Sequence, residues 1–139
     1  MAINKTLYDR LGGKKTFETV HKIFYDKVYA HPWLGKYFTD KPQNILEEQQ
    51  TDFMIQIMGG PKCYAGKVPK SAHQHIAISN ELYELRAQLL AESILEAGIA
   101  DNLKDEWLTA DATFQRVLVK TPEECVQAYP TQAILNFSS

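Results

Sequence analysis

Apolar side chains recur three and four residues apart along this 139-residue chain, and nowhere does strand-like alternation persist. That spacing commits the chain to an all-α fold, with glycine and proline marking where each helix stops. A short first helix is expected over Thr6 to Leu11, closed by Gly12-Gly13. A second runs from Lys15 to Ala30 with Phe17, Val20, Phe24 and Val28 on one face, and His31-Pro32 ends it. A bridge holding Trp33, Leu34, Tyr37 and Phe38 leads to a third helix that begins near Pro42. Its inward stripe reads Leu46, Gln50, Phe53 and Ile57, and Gly59-Gly60-Pro61 ends it. The stretch from Gly59 to Lys70 has three glycines and two prolines and is expected to be an ordered loop, of a length that in small domains often serves function. A helix carrying Leu82, Leu85 and Leu89 reaches Gly98. A last one carries Leu103, Trp107, Phe114 and Leu118 before Thr121-Pro122.

No internal repeat divides the chain, and its length suits one domain, placed at residues 1–122. Residues 123–139 form a weakly patterned tail expected to be partly mobile. With 45% apolar and 23% charged residues the chain should pack a core. Fifteen basic against seventeen acidic residues give a formal charge of −2, with no basic run to follow a phosphate backbone, so nucleic acid is not an expected partner. No segment approaches the roughly 20 apolar residues of a membrane span or looks like a leader. A cytoplasmic monomer that makes no membrane contact is expected. Cys63 and Cys125 lie far apart without a CxxC or CxxCH pattern, which signals neither a disulfide framework nor attached c-type haem.

Several residues need a chemical explanation. Gln50 stands in an apolar stripe, where an unpartnered amide costs about 1 to 3 kcal/mol. It either bonds a neighbouring group or points at a bound ligand. Tyr25, next to Phe24, can bury its ring while its hydroxyl seeks an acceptor, as a plain core tyrosine also would. Phe24, Phe38 and Phe53 read first as plain core aromatics, with the walls of a cofactor slot as the alternative. His73 and His75 are two residues apart and cannot share a helix face, so at most one would bind a given metal. A zinc site joining them with Cys63 fits no common spacing. One neutral histidine can hold haem iron and leave the sixth position open to a gas, although taken alone either histidine reads first as structural or surface. Glu47-Glu48 reads as a solvated helix face. No phosphate-binding loop and no Ser or Cys nucleophile motif is present.

In order and spacing, a set of fragments resembles the truncated haemoglobins, most closely their first group. The run is Thr6-Leu-Tyr-Asp-Arg-Leu-Gly-Gly13, Phe24-Tyr25-Asp-Lys-Val28, Tyr37-Phe38, Gln50-Thr-Asp-Phe53, Gly59-Gly60-Pro61 with Tyr64 and Gly66, and Lys70-Ser-Ala-His73, within residues 6 to 99. The resemblance implies a truncated globin fold, a two-over-two helical sandwich enclosing one non-covalent haem b. It implies His73 as the proximal iron ligand and Tyr25 and Gln50 as hydrogen-bond donors to a bound diatomic gas (O2, NO or CO). Leu46 falls on the position that packs or gates the distal pocket. Phe24, Phe38, Phe53, Met54, Tyr64, Ile78 and Tyr83 match pocket-lining positions, and Lys70 a residue able to reach a haem propionate.

The chain also departs from the family pattern. Gln49 stands where some relatives have a histidine for the sixth iron position, and the last main helix has no histidine for a covalent haem link. Arg86 aligns with a usually apolar pocket position, which leaves open a register shift, a propionate contact or a direct influence on ligands. What the resemblance implies is reversible O2 binding, with NO dioxygenase or peroxidase-like turnover dependent on a separate reductase. The rival is a haem-free helical interaction domain in which Tyr25 and Gln50 bond each other and His73 lies on the surface.

Overall fold

Thr6 starts the first helix through a reciprocal capping arrangement: its hydroxyl accepts from the Asp9 N–H, and the Asp9 carboxylate accepts from the Thr6 N–H. The computed structural model describes residues 5–139, so the four residues on which the reading of an amino-terminal leader partly rests lie outside it. Helix α1 covers Leu7–Leu11 and ends on Gly12 at φ 100°, a backbone value that suits glycine. Helix α2 covers Lys14–Ala30, and a 3-10 turn follows at Leu34–Phe38. Helix α3 covers Gln43–Ile57 and stops before Gly59. There φ is 91°, and any Cβ would lie 2.8 Å from the Thr6 side chain. Helices α4 (Pro69–His73), α5 (Asn80–Glu96), α6 (Asp101–Ala112) and α7 (Gln115–Leu118) complete the order, with a final 3-10 turn at Pro122–Glu124. The described residues contain no named strand, only isolated bridges between Ile76 and Leu135 and between Ile78 and Lys120.

Helix α2 is the axle of the molecule, packed against both α3 and α5, while α5 packs on α6. The pairs α2–α3 and α5–α6 make the expected two-over-two sandwich. All four apolar residues of the α2 stripe are buried, and they meet Ile94 of α5 and Trp107 of α6 in the core. Phe17 and Trp107 pack with ring centroids 4.9 Å apart. His21 is fully enclosed on α2, with Nδ1 2.7 Å from the Thr51 hydroxyl of α3.

Two expectations are corrected. The single last helix is broken after Ala112, where the Thr113 hydroxyl donates to the Ala110 carbonyl at 2.8 Å and competes with the helical ladder. Ile57 is 41% exposed, because α3 turns Thr51, Met54 and Ile55 into the core instead. Residues 125–137 run back across the molecule. Val126 N–H donates to Gln74 O at 2.7 Å, Ala77 N–H to Leu135 O at 2.8 Å, Leu135 N–H to His75 O at 2.9 Å, and the Trp33 indole to Phe137 O at 2.8 Å.

Candidate functional site

Between the α2–α3 layer and the segment around α4 lies a cavity of about 660 Å³, within the range of small-molecule and cofactor sites. Of the residues singled out in the sequence, Phe24, Tyr25, Phe38, Leu46, Gln50, Phe53, Met54, Tyr64, His73, Ile78 and Tyr83 all line it. Lys70 does not: it is exposed and off the lining, where Lys67 stands instead. The stripe Leu46, Gln50 and Phe53 lines this cavity at the margin of the core, and its continuation to Ile57 runs out into solvent.

His73 closes helix α4. Its Nδ1 lies 2.8 Å from the Pro69 carbonyl one turn earlier, and since a carbonyl only accepts, Nδ1 carries the proton. The Nε2 lone pair is left free. Burial lowers the His73 pKa to about 4, opposed by the Pro69 bond and aided by the charges of Arg86 and Lys120. The ring is therefore neutral near pH 7, as metal ligation requires. Lys120 secures this turn from outside, its ammonium donating to the carbonyls of His73 at 3.0 Å, Ile76 at 3.1 Å and Leu118 at 2.8 Å.

On the helical wall, Tyr25 is buried and its hydroxyl forms no hydrogen bond with any described residue, although the residue lines the cavity. Burial raises its pKa, so it remains a protonated donor. Half-buried Gln50 likewise has no hydrogen-bond partner among the described residues and lines the same space. The Tyr25–Gln50 bond and surface-exposed His73 required by the haem-free rival are not what the structure holds. Gln50 instead lines the cavity, and His73 is partly buried in its wall.

Arg86 of α5 also lines the cavity and pairs with Asp111 of α6 through two hydrogen bonds, 2.6 and 2.9 Å. Burial weighs against the charged guanidinium, but the Asp111 carboxylate more than offsets it and holds the Arg86 pKa above its usual value. Asp111, His21 and Lys67 carried no recognisable signal in the sequence. An acid at position 111 looks like an ordinary polar helix residue until its partner, 25 residues away, is known. Ala128, Gln132 and Leu135 of the tail line the cavity as well, and no periodicity pointed to them.

A helical sandwich around a cavity walled by His73 and His75, with the His73 ring held neutral by burial and by Pro69, is the arrangement of a globin. The family described as bacterial-like globin matches residues 6–119. Among its relatives, the group 1 truncated hemoglobin of Mycolicibacterium paratuberculosis is 35% identical over 107 residues, covering 77% of this chain and 79% of that protein. The group 1 truncated hemoglobin of Tetrahymena pyriformis is 30% identical over 102 residues, covering 73% and 84%. The crystal structure of the latter in its Fe(III) form superposes with a TM-score of 0.79 at 26% identity, over 84% of this chain and all of that one. A group II truncated hemoglobin from Bacillus anthracis, at 21% identity and a TM-score of 0.79 over 86% of this chain and 95% of that one, shares the fold. The chain belongs to the bacterial-like globins, in their group 1 truncated haemoglobin branch. The cofactor of such a protein is a non-covalent haem b, and the cavity fits it: aromatic and aliphatic walls, a histidine with Nε2 free, and two unpartnered donors.

Proposed function

We propose that the chain binds one haem through His73 Nε2 and takes O2, NO or CO on the opposite haem face, where Tyr25 and Gln50 donate hydrogen bonds to the ligand. The observation that carries this reading is the Nδ1–H to Pro69 O bond, which selects the tautomer and orientation that leave Nε2 available to a group held between the cavity's aromatic and aliphatic walls. Bound haem supplies an iron centre with an open sixth position and one-electron chemistry. The protein's own contribution is to hold the imidazole neutral and aimed, exclude bulk water with Phe24, Phe38, Leu46, Phe53 and Met54, and aim two donors at developing negative charge. Such donors slow ligand release and favour chemistry on the ligand over simple delivery. NO dioxygenation is the turnover that this supports best. Repeated cycles would need an electron donor, a role that none of these 139 residues supplies.

The test is a visible spectrum of the purified protein with added haem, in ferric, reduced and CO-bound forms. A sharp Soret band at one haem per chain that moves with CO supports the reading, and absence of stoichiometric uptake ends it. NO consumption by the oxygenated protein, with and without a reductase, separates turnover from storage.

A further inference from the structure

The cavity wall contains a guanidinium to which the haem reading assigns no role. Arg86 Nη1 donates to Asp111 Oδ2 at 2.6 Å and Nη2 to Oδ1 at 2.9 Å. A guanidinium has five N–H donors, so this fork leaves three without an acceptor among the described residues. The two partners are unequally exposed: Asp111 is 5% exposed, whereas 23% of the Arg86 side chain is accessible, and Arg86 lines the cavity. Both residues line the cavity, and the guanidinium is the more accessible of the two. Two rings fix the guanidinium, its Cζ lying 5.6 Å from the Phe24 centroid and 5.9 Å from that of Tyr83. Phe24 is packed edge-on to Tyr25 at 5.0 Å, which places the cation beside the donor wall. Asp111 is the only carboxylate among the lining residues, and it is already engaged.

We propose that Arg86, anchored by Asp111, is a specificity-determining residue that makes this cavity favour small anionic ligands over neutral ones. This rests on the haem reading above and deepens it. A diatomic gas needs only the Tyr25 and Gln50 donors. A fixed cation with free N–H groups adds recognition for a ligand carrying a full negative charge, such as azide. Asp111 acts through Arg86, holding the fork and tempering its charge.

The experiment uses the haem-loaded ferric protein at fixed pH and ionic strength, with azide as the anionic probe and imidazole as the neutral one, both read from the Soret band. Arg86→Met is expected to weaken azide roughly tenfold and to leave imidazole within about twofold. Asp111→Asn keeps an acceptor for the fork but removes its negative charge, and is expected to tighten azide by roughly threefold. A merely structural pair would move both probes in the same direction in both variants, and that result overturns the proposal. Should Arg86→Met not fold because Asp111 is left buried and unpaired, the double variant Arg86→Met with Asp111→Leu removes both charges together. An azide-to-imidazole preference in that variant within twofold of the parent overturns the proposal. So does faster haem loss with an unmoved preference, which makes Arg86 a contact for a haem carboxylate. A parent that takes up no haem overturns the haem reading, and this inference with it. A haem-loaded parent with indifferent variants overturns only the inference.

Discussion

The two walls of the cavity are built by different means. The wall that carries Tyr25 and Gln50 is made of two long helices, α2 and α3, packed face to face and tied by His21 and Thr51. The wall that carries His73 is a five-residue helix after a glycine- and proline-rich loop, too short to hold itself. It is held from outside, by Lys120 and by backbone bonds from Val126 and Leu135. A donor aimed at a ligand needs a rigid mount, which a packed helix pair supplies. An iron ligand needs a defined tautomer and direction, which one carbonyl and a few remote clamps can set.

Breaking the clamped wall should have the largest effect. His73→Gly is expected to weaken haem binding by at least roughly 100-fold, since a partner of a metal ligand alone is worth about 10- to 100-fold. Haem titration checks this, and added imidazole should restore a histidine-like spectrum. On the helical wall, Tyr25→Phe should raise the O2 off-rate by roughly 5- to 150-fold, from the about 1 to 3 kcal/mol of a lost donor to a charged acceptor. Stopped-flow displacement of O2 by CO measures it, and an off-rate within twofold of the parent would remove Tyr25 from the donor pair. Lys120→Met deletes three charge-assisted bonds around His73 and should cost about 1 to 3 kcal/mol of stability. Hydrogen exchange should then speed up in residues 74–78 and leave α2 unchanged; equal loss of protection in both would mean that the two walls are one unit.

The smallest effect sharpens the same contrast through pH. Burial lowers the His21 pKa from 6.5 to about 3, with Arg86 adding to the shift and Asp111 opposing it. The folded state keeps this ring neutral while the unfolded chain protonates it, so its stabilising share is present above pH 6.5 and falls as the pH drops toward 3. Between pH 6 and 5 the loss should be about 1 kcal/mol. Urea unfolding of the parent and of His21→Gln at the two pH values measures the difference, and equal slopes would show that His21 does not couple the helical wall to pH.

The same contrast explains what was legible in the sequence. Helical periodicity carries the placement of Phe17, Val20, Phe24 and Val28, and the ends at Gly12 and Gly59 follow from backbone conformations that glycine adopts easily. The stripe Leu46, Gln50 and Phe53 was visible as a face, but periodicity cannot tell a face against a cavity from one against a core, hence the error at Ile57. The break at Thr113 depends on one hydroxyl choosing a carbonyl three residues back. Asp111, Lys120 and the tail residues act through partners 25 to more than 40 residues away, and such pairings leave no local pattern. His21 has the residue type of a ligand but is spent on Thr51 within the core.

The clamps on the His73 wall come from residues 120–135, beyond the stretch matched by the globin family. During synthesis the amino-terminal helices leave the ribosome first, so α2 and α3 can pair long before Lys120, Val126 and Leu135 have been made. The donor side of the cavity is thus assembled early and the histidine side is fastened last. Cofactor capture with the ring correctly aimed waits for residues 120–135, and a nascent chain stalled before them would present a half-built socket.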